Sequence, residues 1–259
     1  MIYKANDELK RDLFSMFKGM DSTIIRSCLE GHMGTAWVDD LENPTCAQVL
    51  VGIFVFYAGI PKSKEAEELL HNIPDNVLAI VDTQDWKERI ETVHKNRIEK
   101  FRRYKFKKNV NDLDRNHLES YLTTLPDGYE LKRIDKSLAG DPNLNQISED
   151  FTSQFDSIDD YIERGIGFGI LHNGEVVCGA SSYSIYNEGI EIEVATHRKH
   201  RRKGLATVAS SALILECLKK GIYPSWDAAN YASTLLAEEL GYILDKPYDT
   251  YYIYTNQAR

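Results

Sequence analysis

Asn173-Gly174 lies between two runs, GIGFGILH (165–172) and EVVCGASSYSIY (175–186), that both have the apolar density of a strand. A two-residue Asn-Gly linker suits a tight hairpin, because such a turn needs positive φ at both positions and these residues tolerate it. The second half of the chain is therefore predicted to hold an antiparallel sheet. Around the hairpin the order of elements is specific. Strand YELKRID (129–135) and an acidic helical stretch (144–164) precede it. Strand IEIEVAT (190–196), a basic run, a helix from about Lys203 to Lys220, strand YPSWDAA (223–229), helix ASTLLAEEL (232–240) and a tyrosine-rich final strand region follow.

The first half mixes the same ingredients. Residues 7–29 have helical spacing, and TAWVDD (35–40) and AQVLVGIFVFYAG (47–59) read as strands flanking the turn Glu42-Asn43-Pro44. KSKEAEELLHNI (62–73) and QDWKERIETVH (84–94) read as helices, NVLAIVD (76–82) as a strand, and RIEKFRRYKF (97–106) fits either state. A helix from about Asp112 to Leu122 leads to the turn cluster Pro126-Asp127-Gly128, which places a boundary near residue 125. The expected domains are 1–125 and 126–259.

Composition removes several classes of function. The chain has 259 residues and a net charge of −9, so as a whole it repels phosphate backbones and anionic lipid. Nucleic-acid and membrane partners are not expected. The start, MIYKANDELK, has no apolar signal core, and the longest apolar run, residues 49–60, is too short for a bilayer span of about 20 residues. A cytoplasmic location is the expectation. Cys28, Cys46, Cys178 and Cys217 are far apart, with no metal-ligand spacing, and are expected to be reduced and mostly buried, with no metal site.

Against that acidic background, His197 to Lys203 reads HRKHRRK and stops at Gly204, where a helix is predicted to begin. The first amides of a helix lack internal partners and carry partial positive charge. A glycine there lets a phosphate approach the backbone without a Cβ in the way. Arg201, Arg202 and Lys203 would add charge for a diphosphate. The segment Arg201–Ala206 fits [Q/R]-x-x-G-x-[G/A], and at this point the sequence resembles the GCN5-related N-acetyltransferases (GNAT), whose signature lies between strand and helix as it does here. Asn230-Tyr231-Ala232-Ser233 and Leu240-Gly241-Tyr242 match that family's downstream N-x-x-[S/A] and L-G-[F/Y].

The motif resemblance covers about residues 129–254. More loosely the whole chain, through GTAWVDD, P-x-x-A-x-x-x-V and CLKKGIYPSWDAAN, resembles a longer bacterial subgroup that includes zwittermicin-resistance acetyltransferases. The fold class implied is α/β (α+β): a mixed, mostly antiparallel sheet flanked by helices, preceded by a smaller α/β domain. That first domain reads either as a domain of its own or as a degenerate copy of the same fold, shaping the acceptor site or mediating a homodimer. It has GIPKSKEAEE where an arginine-glycine loop would stand.

The resemblance implies acetyl transfer from acetyl-CoA to an amine by direct attack on the thioester. Val194, Ala195, Thr196, Arg201, Arg202, Lys203, Gly204, Leu205, Ala206, Thr207, Asn230 and Ser233 would hold the coenzyme. Glu191 and Glu193, on one face of their strand, and Asp227 are candidates for the base or for a cation-binding group, with Trp226 nearby; their bland reading is a solvated polar edge. A small cationic amine is the expected acceptor, with a protein N-terminus or lysine as the open alternative. The family often has a tyrosine seven residues after the motif asparagine, where this chain has Ala237, so the general acid is unassigned among Tyr248, Tyr251, Tyr252 and Tyr254. That departure keeps open a catalytically weak acetyl-CoA sensor or scaffold. A solvated basic loop and an RNA-binding patch are rival readings of HRKHRRK, the latter opposed by the adjacent glutamates. GIGFGI is not a dinucleotide fingerprint, since it runs into a hairpin; its glycines instead suggest close backbone approach.

Overall fold

Side chains that accept first-turn amides set most helix starts in this computed structural model, which describes residues 1–254. Asn6, Ser63, Thr83, Asp114, Asp135, Asp141, Ser157 and Asn230 each cap the helix that follows. Such a cap stabilises a helix by about 1 kcal/mol. The chain forms two compact units, Met1–Arg103 joined by the described residues from Pro247 onward, and Tyr104–Lys246. The boundary expected near residue 125 therefore falls inside the second unit. Its cause is α5 (Arg115–Leu122), which packs on the long helix α9 (Leu205–Lys220), with Arg115 Nη2 donating to Leu218 O at 2.7 Å.

The first unit contains β1 (Tyr3–Lys4), α1 (Asp7–Asp12), α2 (Thr23–Leu29), β2 (Thr35–Val38), β3 (Cys46–Val51), β4 (Phe54–Gly59), α3 (Lys64–His71), β5 (Val77–Ile80), α4 (Gln84–Val93) and the start of β6 (Ile98–Phe106). Strands β1 to β4 pair antiparallel in chain order, and β5 joins β4 in parallel after the crossover through α3. Residues 251–253 of the last strand, β13 (Leu244–Ile253), pair antiparallel with the outer side of β5. The apolar run 47–59, read as one strand, is a hairpin turning at Gly52-Ile53. Nearly every residue of β3 and β4 is buried, so no in-out alternation marks the turn. The core centres on Trp86 and Tyr57, stacked at 5.4 Å, with Leu69, Leu70, Ile90 and Tyr251 around them.

His94 lies in this unit with 1% of its surface exposed. Burial, with Arg97 and His71 nearby, lowers its pKa to about 4. An unfolded histidine titrates near 6.5, so the unfolded chain binds the extra proton and stability falls as pH drops from about 6.5 through about 4. We expect this residue to remove about 2 kcal/mol between pH 7.5 and 5. Denaturant unfolding of His94→Leu should show a flatter acid limb, and an unchanged limb would refute the assignment.

The second unit runs from the end of β6 through α5, β7 (Tyr129–Arg133), α6 (Lys136–Ala139), α7 (Pro142–Ile147), α8 (Ile158–Arg164), β8 (Gly167–His172), β9 (Glu175–Tyr186), β10 (Gly189–Thr196), α9, β11 (Tyr223–Ser225), β12 (Asp227–Ala228) and α10 (Tyr231–Glu239) to the start of β13. Its five-stranded sheet has the order β11-β10-β9-β8-β7, antiparallel except for the parallel pair β10/β11. The mixed, mostly antiparallel sheet flanked by helices agrees with the sequence. Asn173 and Gly174 turn the β8/β9 hairpin at φ 53° and 83°. A Cβ on Gly167 would collide with the Tyr161 hydroxyl, so at this glycine of GIGFGI it is a side chain, and not another backbone, that comes close.

One expected strand is two. YPSWDAA breaks at Trp226, so that β11 stays beside β10 while β12 pairs with Tyr104 and Lys105 at the end of β6. The indole is 5% exposed, packs on Tyr242 at 5.6 Å and donates from Nε1 to Ser233 Oγ. Burying it there turns the strand. All four cysteines are free and buried, and desolvation pushes each thiol up to about 12. Among the described residues no helix is long and apolar enough to cross a membrane.

Candidate functional site

Strand β10 pairs with β11 only from Gly189 to Glu191. Beyond that point, among the described residues, it has no strand partner on this side as far as Thr196, and a cleft of about 590 Å³ opens. Its walls are residues 194–196 at the end of β10, the turn and first residues of α9, and one side of α10.

Helix α9 begins without a side-chain cap, which among the described α-helices is true otherwise only of α2. Gly204 stands at the cap position with φ 74° and ψ 1°. A Cβ built on it meets nothing within 4 Å, so the missing side chain leaves open room at the cleft and relieves no internal clash. Arg202 adopts φ 60°, a conformation that L-residues enter reluctantly, and Arg201 Nε donates to Thr196 O at 3.1 Å. Together these fold the basic loop back on the strand end, with the first amides of α9 uncapped beside it. Anions suit such a place, through unpaired N–H groups and the helix dipole.

Of the residues expected to hold the coenzyme, Val194, Ala195, Thr196, Arg201, Arg202, Gly204, Leu205, Ala206, Thr207, Asn230 and Ser233 line the cleft. Lys203 does not. Its ammonium donates to the Tyr129 hydroxyl at 2.8 Å and sits 5.4 Å from that ring's centre. Asn230 and Ser233 also have structural duties: Asn230 Oδ1 caps α10 at Ser233 N, and Ser233 Oγ accepts from Trp226. Trp226 itself lies under the cleft wall and not in it. Sequence reasoning missed His200, Ala232, Leu235, Leu236 and Glu239. Residues 232, 235, 236 and 239 share one helical face, and that spacing was the available signal.

The three candidate carboxylates separate. Glu191 is 6% exposed and belongs to the paired half of β10, whereas Glu193 is half-buried on the splayed half, next to the cleft wall. Ser148, at the end of α7, donates its hydroxyl to Glu193 Oε1 at 2.9 Å. Asp227 is half-buried in β12, opposite Lys105. Ala237 is fully buried, so no side chain of α10 reaches out from that position. In the first unit Tyr251 donates to Glu91 and Tyr252 to Asn76. Cys178, opposite Thr196 and accepting its hydroxyl, is a thiol at neutral pH because burial holds its pKa near 12. It is a poor nucleophile in that state.

A sequence model of the GNAT acetyltransferase family matches residues 14–251, and so includes most of both units. The crystal structure of a GCN5-related N-acetyltransferase-like protein from Streptococcus suis is 38% identical, superposes with a TM-score of 0.88, and covers 95% of this chain and 98% of that one. An uncharacterized N-acetyltransferase of Bacillus subtilis, YdfB, is 32% identical over 130 residues, so the match spans 49% of each chain. A tandem GNAT protein from the clavulanic acid biosynthesis pathway shares the fold, with a TM-score of 0.55 at 12% identity over 97% of both chains.

Proposed function

Since this chain belongs to the GNAT acetyltransferase family, we propose that it transfers an acetyl group from acetyl-CoA to a primary amine of a small, cationic acceptor, with the coenzyme in the cleft of the second unit. The observation that supports this most is the uncapped, glycine-initiated α9 facing a cleft that opens where β10 leaves β11. The residues present fit a diphosphate: Arg201 and Arg202 supply charge, the amides of Leu205, Ala206 and Thr207 supply donors, and Gly204 supplies room. Val194 to Thr196 offer backbone groups along the same wall. Bound there, acetyl-CoA brings the acetyl group as an activated thioester.

What the chain must add is a neutral amine in the right place. Glu193 is the base or cation-holding group in this reading, oriented by Ser148. Glu191 is too enclosed for a solvent-borne acceptor, and Asp227 is the second candidate. Direct attack is favoured over an acyl-enzyme, because every cysteine is buried with a raised pKa. A polycationic acceptor of the kind met by resistance acetyltransferases matches a half-buried carboxylate in a chain of net charge −9.

The first unit repeats the order hairpin, helix, parallel strand, helix, strand, which supports reading it as a second copy of the fold. Its helix α3, which corresponds to α9, is closed by Ser63, whose hydroxyl accepts Ala66 N at 2.9 Å. That cap occupies an amide a phosphate would need. Titration calorimetry should therefore give one coenzyme A per chain, and a stoichiometry of two would reveal a site in the first unit. Ala237 favours the second reading, an acetyl-CoA sensor. Release of free thiol from acetyl-CoA across a panel of amines decides between them, because a sensor binds and releases nothing.

A further inference from the structure

Lys203, turned away from the cleft, ends a hydrogen-bonded chain that returns to it. Its Nζ donates to Tyr129 Oη at 2.8 Å, and Tyr129 Oη lies 2.9 Å from Nδ1 of His200, which lines the cleft. An ammonium can only donate, so the phenol oxygen accepts from Lys203 and keeps its single hydrogen to offer to Nδ1, the direction favoured when the imidazole is neutral and bare at that nitrogen. That leaves the imidazole proton on Nε2. The charge on Lys203 polarises the phenol and strengthens its donation, as hydrogen bonds in series do. His172 packs beside both, 4.6 Å from the Tyr129 ring and 5.2 Å from the His200 ring. Burial, together with Lys203, His172, His197 and Lys199, lowers the His200 pKa, in keeping with a neutral ring.

We propose that Tyr129 is a positioning residue that fixes His200 as the Nε2–H tautomer, so that a neutral, oriented donor stands in the cleft wall for the phosphate oxygens of coenzyme A. This rests on the reading that the cleft holds coenzyme A. Arginines 201 and 202 supply attraction at that wall, and His200 supplies direction. Tyr129 lies on β7, distant in sequence from the basic loop, and forms no part of the six-residue motif.

Nitrogen-15 NMR of the ligand-free protein tests the hydrogen-bond part: His200 should show a protonated Nε2 and a bare Nδ1, and the Tyr129→Phe protein should show a mixture. A protonated Nδ1 in the wild type would overturn the inference. Calorimetry tests the ligand part. Tyr129→Phe should weaken coenzyme A about five- to tenfold, the scale of one hydrogen bond between well-placed partners. In the His200→Gln background, where an amide offers a donor near the Nε2 position without the phenol, adding Tyr129→Phe should change the dissociation constant less than twofold. An equal loss in both backgrounds would make Tyr129 a merely structural residue and sink the proposal. Unaltered affinity in Tyr129→Phe alone would do the same while leaving the cleft reading intact, whereas a wild-type protein that binds no coenzyme A would overturn both.

Discussion

Gly204→Val should abolish the rise in melting temperature that coenzyme A produces in the wild-type protein. A ligand present at a hundredfold its dissociation constant adds about 2.7 kcal/mol by mass action, which is several degrees for a chain of this size. A Cβ at position 204 meets no protein atom within 4 Å, so the added isopropyl group would occupy the room left for a phosphate. The φ of 74° adds a second effect, since a side chain in the left-handed region costs roughly 1–2 kcal/mol, so the free variant should also melt lower. Gly204→Ala should lie between the two in both respects. Dephospho-coenzyme A keeps the diphosphate and should still bind the wild type. Retention of wild-type affinity by a folded Gly204→Val protein in calorimetry would remove the central claim about the cleft.

Replacing Glu193 by Gln should lower kcat by about 10²- to 10⁴-fold if its carboxylate takes the acceptor proton, and leave the dissociation constant of coenzyme A unchanged. Part of the loss should return at higher pH, where free amine is abundant. If Glu193 only attracts a cationic acceptor, the change should fall on KM and shrink at high salt, because screening weakens exposed charge attraction. Glu191→Gln is the informative companion. At 6% exposure on the paired half of β10, Glu191 should affect stability more than turnover. Wild-type kcat and KM for Glu193→Gln across pH 6 to 9 would exclude both roles and move attention to Asp227.

Local chemistry made parts of this molecule legible in the sequence. Asn173-Gly174 could be read because positive φ at two successive positions admits few residue types, and the turn before α9 could be read because glycine after a basic run has few other uses. Long-range causes were not legible. The break at Trp226 depends on Tyr242 and Ser233, and the diversion of Lys203 depends on Tyr129. Neither contact leaves a mark near the residue it moves. The boundary was misplaced for a related reason: a turn cluster such as Pro126-Asp127-Gly128 has the same composition whether it links units or reverses the chain within one. Glu191 and Glu193 share a strand face in any sequence reading, and three distant causes give them different surroundings: the end of β10/β11 pairing, the register shift against β9 just after Glu191, and Ser148.

Residues 251–253 fill the outer side of β5, and the end of β6 pairs with β12, so each half of the chain lends a strand to the other unit. On the ribosome this has a cost in time. The segment 77–79 is translated long before its partner, and at typical elongation rates the delay is on the order of ten seconds or more. Throughout that interval the nascent first unit presents an apolar strand, Val77–Ile80, with one edge unpaired, the kind of edge on which other chains assemble. Folding of the amino-terminal unit is thereby tied to translation through residue 253, and a product interrupted before that point should carry an open sheet edge at β5.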